Sequence, residues 1–259
     1  VDALLIHLGP ALLVFLRLSG LFIFAPILAS SIVPMKTRVL LAVTLTVCVY
    51  PTIPVWQQAP VTLDVFTLAA AGFMEVLLGT VVGLLAMLPI LSVQLAGLVM
   101  GQQMGMALAA VYNPALESES EPIGELLLYL ALAVFIALGG LEMVVLATAR
   151  TFEHVPLGGF EASWAPVGLV VGFISAGFEL ALRITAPLMA ILLAETVAAA
   201  FLAKTMPQLN ILSIGFPIKV MMGLLAILFG LIAVHAAIGD HVAQAGRAIL
   251  RWSGALGSG

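Results

Sequence analysis

Seven apolar runs divide the chain, at about 3–33, 39–50, 65–88, 90–112, 126–149, 165–201 and 209–239. All but 39–50 have the roughly 20 residues that a helix needs to cross hydrocarbon, so the pattern predicts six or seven helical spans. The breaks are polar, or rich in proline and glycine. Pro34-Met35-Lys36-Thr37-Arg38 is a basic turn, and 51–64 is a loop holding Pro51, Pro54 and Pro60. Glu117, Glu119, Glu121 and Glu125 make 113–125 an acidic segment, and Gly158-Gly159 lies in a mixed loop at 150–164. A last break, 203–219, contains Lys204, Pro207, Pro217 and Lys219.

Residues 65–112 carry one formal charge, Glu75. At about 1.5 Å per residue, one helix of that length would be roughly twice the hydrocarbon thickness, which predicts a fold-back or bend near Pro89. Gly97, Gly101 and Gly105 follow at intervals of four. Small residues so spaced let two helix backbones approach closely, so a packing row is expected here, with a hinge as the other reading.

Composition narrows the class. The chain is 63% hydrophobic and 8% charged, against roughly 25% charged in ordinary globular chains, and its mean hydropathy is +1.25. A soluble fold of this size is excluded. The net charge of −4, with no basic stripe, argues against nucleic acid as a partner. The one cysteine, Cys48, is expected to behave as a small buried hydrophobe. Residues 9–30 lack a basic leader and a cleavage motif, and are expected to be a retained helix. If Lys36 and Arg38 are cytoplasmic, the acidic segment lies outside and Arg150, Arg247 and Arg251 inside, but Lys204 and Lys219 fall on the wrong side.

Six charges interrupt the apolar runs: Arg17, Glu75, Glu142, Glu179, Arg183 and Glu195. Each costs about 2.5–3.5 kcal/mol at mid-bilayer unless it is paired or wet. Glu179 and Arg183, four apart with the acid first, are spaced to neutralise each other on one helix. Glu75, Glu142 and Glu195 have no counter-ion nearby in sequence, and so either contact another subunit or line a wet path. Catalytic signals are missing. No phosphate loop, nucleotide fingerprint or Gly-x-Ser-x-Gly is present, and His7, His154, His235 and His241 are too scattered to ligate a metal. No enzyme activity, cofactor or metal is expected. A faint echo between Gly72-Phe73…Glu75…Pro89 and Gly172-Phe173…Glu179…Pro187 has mismatched offsets and is not a repeat.

Three stretches together resemble the FliR/SctT family of flagellar and virulence-system export-gate subunits. RLSGLFIFAPILASSIVPMKTRVLLAV (17–43) is similar to the family's Arg…Ala-Pro…Pro…Lys-x-Arg pattern. AGLVMGQQMGMALAAVYNP (96–114) resembles its Gly-x-Gln-Met-Gly…Asp-Pro segment, with Asn113 in place of the aspartate. KTMPQLNILSIGFPIKVMMGL (204–224) resembles its Pro-Gln-Leu-Asn…Gly-Phe-Pro motif. Gly140-Leu141-Glu142 departs from a common Gly-His, so no histidine role carries over.

The resemblance implies an all-α membrane-type chain with a FliP-like part over 1–164 and a FliQ-like helical hairpin and tail over 165–259, turning near 204–217. It implies one copy joined to several copies of FliP and FliQ in the bacterial inner membrane at the flagellar basal body, with FlhB and FlhA as further partners and unfolded proteins as cargo. Much of that assembly stands above the bilayer, its apolar helices buried against neighbours. It implies a pore plug over about 104–121, carried by Met104, Met106, Leu108, Val111 and Tyr112, for which flexible, polarizable methionine is suited. Plain packing in a helix bundle is the alternative for these residues. Pro207, Gln208 and Asn210 suit a shaped turn, with partner docking as the second reading. Two functions follow: a structural pore subunit of a type III export gate, or an ion- or proton-coupled carrier using Glu75, Glu142 and Glu195.

Overall fold

In a computed structural model of the protein, the described residues are 2–30, 33–53, 65–106, 122–159, 167–205 and 211–255. They form α1 (Asp2–Phe24), α2 (Met35–Val49) with a 3-10 turn at Tyr50–Thr52, α3 (Val65–Gln103), α4 (Pro122–Ala137), α5 (Gly140–His154), α6 (Val167–Thr205) and α7 (Ile211–Ala255). No strand occurs among the described residues. The protein is an all-α, multi-helix membrane-type chain. Among the described residues three segments are long and apolar enough to cross a membrane: His7–Phe24, Phe66–Gln103 and Val167–Leu202. Two bent pairs, Pro122–Ala137 with Gly140–His154 and Gly215–Phe229 with Val234–Trp252, raise the total to as many as five.

That total falls short of the expected six or seven for identifiable reasons. Residues 65–103 do not fold back at Pro89; they form one continuous helix with the proline inside it. Proline deprives only the Leu85 carbonyl of its helical donor, whereas a reversal inside an apolar environment would strand several backbone groups. The apolar run at 126–149 divides instead at Gly139, whose φ of +70° ends α4 and starts α5. α2, at 15 residues, is too short to span. Cys48, expected to be buried, lies exposed on α2.

The chain forms two compact units. The first comprises Val1–Leu88, Phe135–Phe173 and Val242–Gly259, and the second Pro89–Val134 and Ile174–His241. In the first unit α1 and α3 meet backbone to backbone. A Cβ added at Gly79 would overlap the Arg17 carbonyl oxygen, one at Gly20 the Val76 carbonyl oxygen, and one at Gly83 would lie 2.9 Å from the Ala25 nitrogen. Gly79 and Gly83 are four apart, the spacing that allows such an approach. Around this seam Val14, Leu18, Ile53 and Phe152 form a buried cluster, against which Leu45 and Val49 of α2 pack.

In the second unit Gly97 of α3 abuts α4, where an added Cβ would sit 2.7 Å from Gly124 Cα. Gly177 of α6 faces the Ser92 hydroxyl, and Gly223 of α7 faces the Met104 side chain. The glycine row is therefore divided in its roles. Gly97 is a contact glycine and Gly101 is buried, but Gly105, at φ +80°, lies beyond the helix. The Met106 amide donates to Gly101 O at 3.1 Å and the Gly105 amide to Gln102 O at 3.0 Å, which together make a Schellman stop.

Candidate functional site

The most organised polar centre is built around Arg17 of α1 and Glu75 of α3, 58 residues apart and both 0% exposed. Arg17 Nε and Nη2 grip the Glu75 carboxylate side-on, Nε to Oε2 and Nη2 to Oε1, the latter at 3.0 Å. Nη1 donates to the Thr151 hydroxyl of α5 at 3.0 Å, and Nη2 also reaches Val155 O at 3.4 Å. Four hydrogen bonds thus engage most of a guanidinium that has five N–H groups. Its carbon lies 4.1 Å from the centroid of the Phe152 ring, a cation–π placement that covers the remaining face.

The groups that hold this pair in place follow from the local sequence. Thr151 Oγ1, while accepting from Arg17, donates to Thr148 O at 2.6 Å, so the hydroxyl is used in both directions. Glu75 Oε1 also accepts the Gly158 amide at 2.8 Å. Gly158 has φ +73°, and a Cβ there would press on Ala71 Cβ at 3.1 Å, so only glycine suits the position. The centre ties α1, α3, α5 and the loop after α5 together. Chemically it is closed: every polar atom faces a partner inside the chain, which suits a structural clasp better than a site that binds and releases ions.

Glu75, expected to contact another subunit or line a wet path, instead finds its counter-ion far along its own chain. The other intramembrane charges differ from expectation in instructive ways. Glu195 of α6 is buried and faces Lys219 of α7 at 3.9 Å, with Thr196 Oγ1 at 3.4 Å from its Oε2. Lys219, a lysine that broke the charge rule, is thereby accounted for by a partner in its own chain. Glu179 and Arg183 do pair, at 2.8 Å, but their side chains are 68% and 73% exposed, not buried. Glu142 is exposed too, in the first turn of α5, where a carboxylate complements the helix dipole.

Met104 is fully buried against Gly223, and Met106 is half-buried. Leu108, Val111 and Tyr112 lie outside the described residues, as do Pro207, Gln208 and Asn210. An apolar groove of about 650 Å³ opens in the second unit beside Leu127, Pro187, Leu188, Met222 and Phe229, with Arg183 among its walls. Among the described residues no cluster of three His, Cys, Asp or Glu could hold a metal.

Sequence reasoning missed the clasp partners Thr151 and Gly158 and the seam glycines Gly20, Gly79 and Gly83. Two signals pointed to them. Arg17 is the one cation in the first apolar run and Glu75 the one anion in the third, and intramembrane charges tend to pair. Gly79-Thr-Val-Val-Gly83 is itself a small-xxx-small motif.

Comparison with known proteins gives these features a context. Residues 8–245 match the family model described as bacterial export proteins, family 1. The chain is similar to the flagellar biosynthetic protein FliR of Escherichia coli (strain K12), at 30% identity over 84% of this chain and 83% of that protein. It is likewise similar to FliR of Bacillus subtilis (strain 168), at 29% identity over 83% and 84%. The Yop proteins translocation protein T of Yersinia pestis is 26% identical over 78% of each chain.

Proposed function

The chain belongs to the bacterial export proteins of family 1 and is a membrane-associated component of a flagellar or type III export apparatus; from that premise we propose that it is a pore-forming structural subunit of the gate, without catalytic activity. In this reading one copy assembles with several copies of FliP and FliQ in the bacterial inner membrane, at the flagellar basal body, with FlhB and FlhA alongside. Unfolded substrates pass through the shared pore. Residues 1–164 supply the FliP-like part, and 165–259 the FliQ-like hairpin and tail.

The observation that carries this reading is the surface of α6. Within the Val167–Leu202 segment, only 28% of an 18-residue apolar window is buried within the chain. Phe178, Leu182, Leu193, Val197 and Phe201 are all well exposed, and among them sits the exposed Glu179–Arg183 pair. Hydrocarbon would cover the apolar groups but not the charges; neighbouring helices with polar groups cover both. A carrier working alone has less support, because Glu75 is closed off by Arg17 and Glu195 faces Lys219.

The plug reading draws support from the Schellman stop at Gly105, which ends α3 just before Met106. Met104 packs inside the chain, so the plug would begin at Met106. Deleting 107–121 should raise ion leak through resting membranes. Unchanged leak from a normally assembled complex would refute the plug. The pore-subunit reading itself is tested by native mass after gentle extraction, with and without co-expressed FliP and FliQ. A discrete hetero-oligomer holding one copy of this chain is expected, and a monomer indifferent to those partners would overturn it.

A further inference from the structure

The connection from α1 to α2 holds a strained backbone that neither the export role nor the Arg17 clasp uses. Ile27 has φ +68°, the one positive φ at a non-glycine residue among the described residues. For a β-branched side chain this is a true outlier. The Leu28 amide donates to Pro26 O at 2.8 Å, closing a three-residue γ-turn around Ile27 in its rare, strained form. Strain of this kind persists only where surrounding structure overdetermines it.

The brace is Arg38. From the first turn of α2 its guanidinium reaches back over the turn, Nε donating to Val33 O at 3.2 Å and Nη2 to Ala29 O at 3.2 Å and to Ser30 O. One side chain thus gathers three carbonyl oxygens of the connection. The oxygens are neutral, and hold a cation less firmly than a carboxylate would, so the grip is releasable. Few residues of α2 are buried. Its buried residues are Ala42 and Thr46, and its N-cap, Pro34, offers no side-chain hydrogen bond. Lys36 and Arg38 place two cations at the positive end of its dipole. Leu45 and Val49 pack on the neighbouring cluster, and the Tyr50 hydroxyl lies 2.8 Å from His7 Nδ1.

We infer that residues 25–30 and 33–38 act as a spring-loaded latch: Arg38 holds Ile27 in its left-handed turn and α2 against the rest of the first unit, and release of Arg38 lets the turn relax and α2 swing away as a body. This is a property of the first unit alone and does not depend on the pore reading. Two arrangements of α2 follow, and the one in this structure is the latched one. Segments that open locally are those with few buried contacts, and α2 fits that description.

Hydrogen–deuterium exchange over residues 35–49, in the full chain purified within its cellular complex, reads the open population directly. Arg38→Gln should raise exchange across α2 by about tenfold or more, the factor that corresponds to strain of this size. Ile27→Gly should slow it, because glycine accepts the left-handed turn without penalty and so favours the latched form. The second variant separates a sprung latch from an ordinary turn: an unstrained turn would loosen with glycine, which adds backbone freedom. Exchange unchanged in Arg38→Gln, or equal or faster in Ile27→Gly, would overturn the inference. Slower exchange in Ile27→Gly supports it even where Arg38→Gln fails to assemble.

Discussion

α3 and α6 are both 39-residue helices with one internal proline and almost continuous apolar sequence, yet they live in different surroundings. Of an 18-residue apolar window in α3, 56% is buried within the chain, twice the share in the matching window of α6. The charges follow the same division. Glu75 on α3 is enclosed by Arg17, a backbone amide and the shell around Thr151, whereas Glu179 and Arg183 on α6 face outward with only each other. The glycines agree. Gly79 of α3 is pressed against the α1 backbone, while Cβ atoms added at Gly168 and Gly172 of α6 would meet nothing within 4 Å. Similar composition thus conceals two designs, a helix completed by its own chain and one left for something else to complete.

The sharpest way to break this comparison is to remove one partner of the buried pair. Glu75→Leu should destabilise the extracted protein by about 3–5 kcal/mol, since an unpaired buried charge remains. Adding Arg17→Met should recover much of that loss, and thermal melting of both variants measures the coupling. If the single variant melts normally, the clasp is not structural. Gly79→Leu comes next, and should abolish folded protein in size-exclusion profiles because its side chain would invade the Arg17 backbone. Gly172→Leu is its counterpart on α6: the chain's own melting should be unchanged while the yield of hetero-oligomer falls. Equal damage from both substitutions would erase the distinction between the helices.

Smaller effects sharpen the picture. Lys219→Met leaves Glu195 buried without its ion partner and should lower stability by about 1–3 kcal/mol. Glu179→Gln should change melting of the isolated chain by only about 0.3–0.5 kcal/mol, as for other exposed pairs four residues apart. A larger loss in the assembled complex than in the isolated chain would mark that pair as an interface group.

Much of this was legible in the sequence, and what was not follows from distance. Hydropathy alone shows a helical membrane-type chain, and i,i+4 spacing suffices for Glu179 with Arg183, because both are local properties. The partners of Glu75 and Glu195 lie 58 and 24 residues away along the chain, so spacing could not reveal them. The fold-back expected at Pro89 does not occur, because proline's helix-breaking effect is outweighed where the backbone has no better place for its hydrogen bonds. The glycine row misled in part, since a glycine at regular spacing can also be the stop of its helix, as Gly105 is. The strain at Ile27 had no sequence signature, because isoleucine is among the last residues expected to take a positive φ.

The central claim is that the outward face of α6 is covered by protein and not by lipid. Photo-crosslinking amino acids placed at Phe178, Leu193 and Phe201 in living cells test it most directly. The account predicts discrete higher-mass adducts with other subunits from all three positions, including Phe178 beside the exposed ion pair. Reaction with lipid alone at all three, in cells where the export complex is assembled, would contradict it.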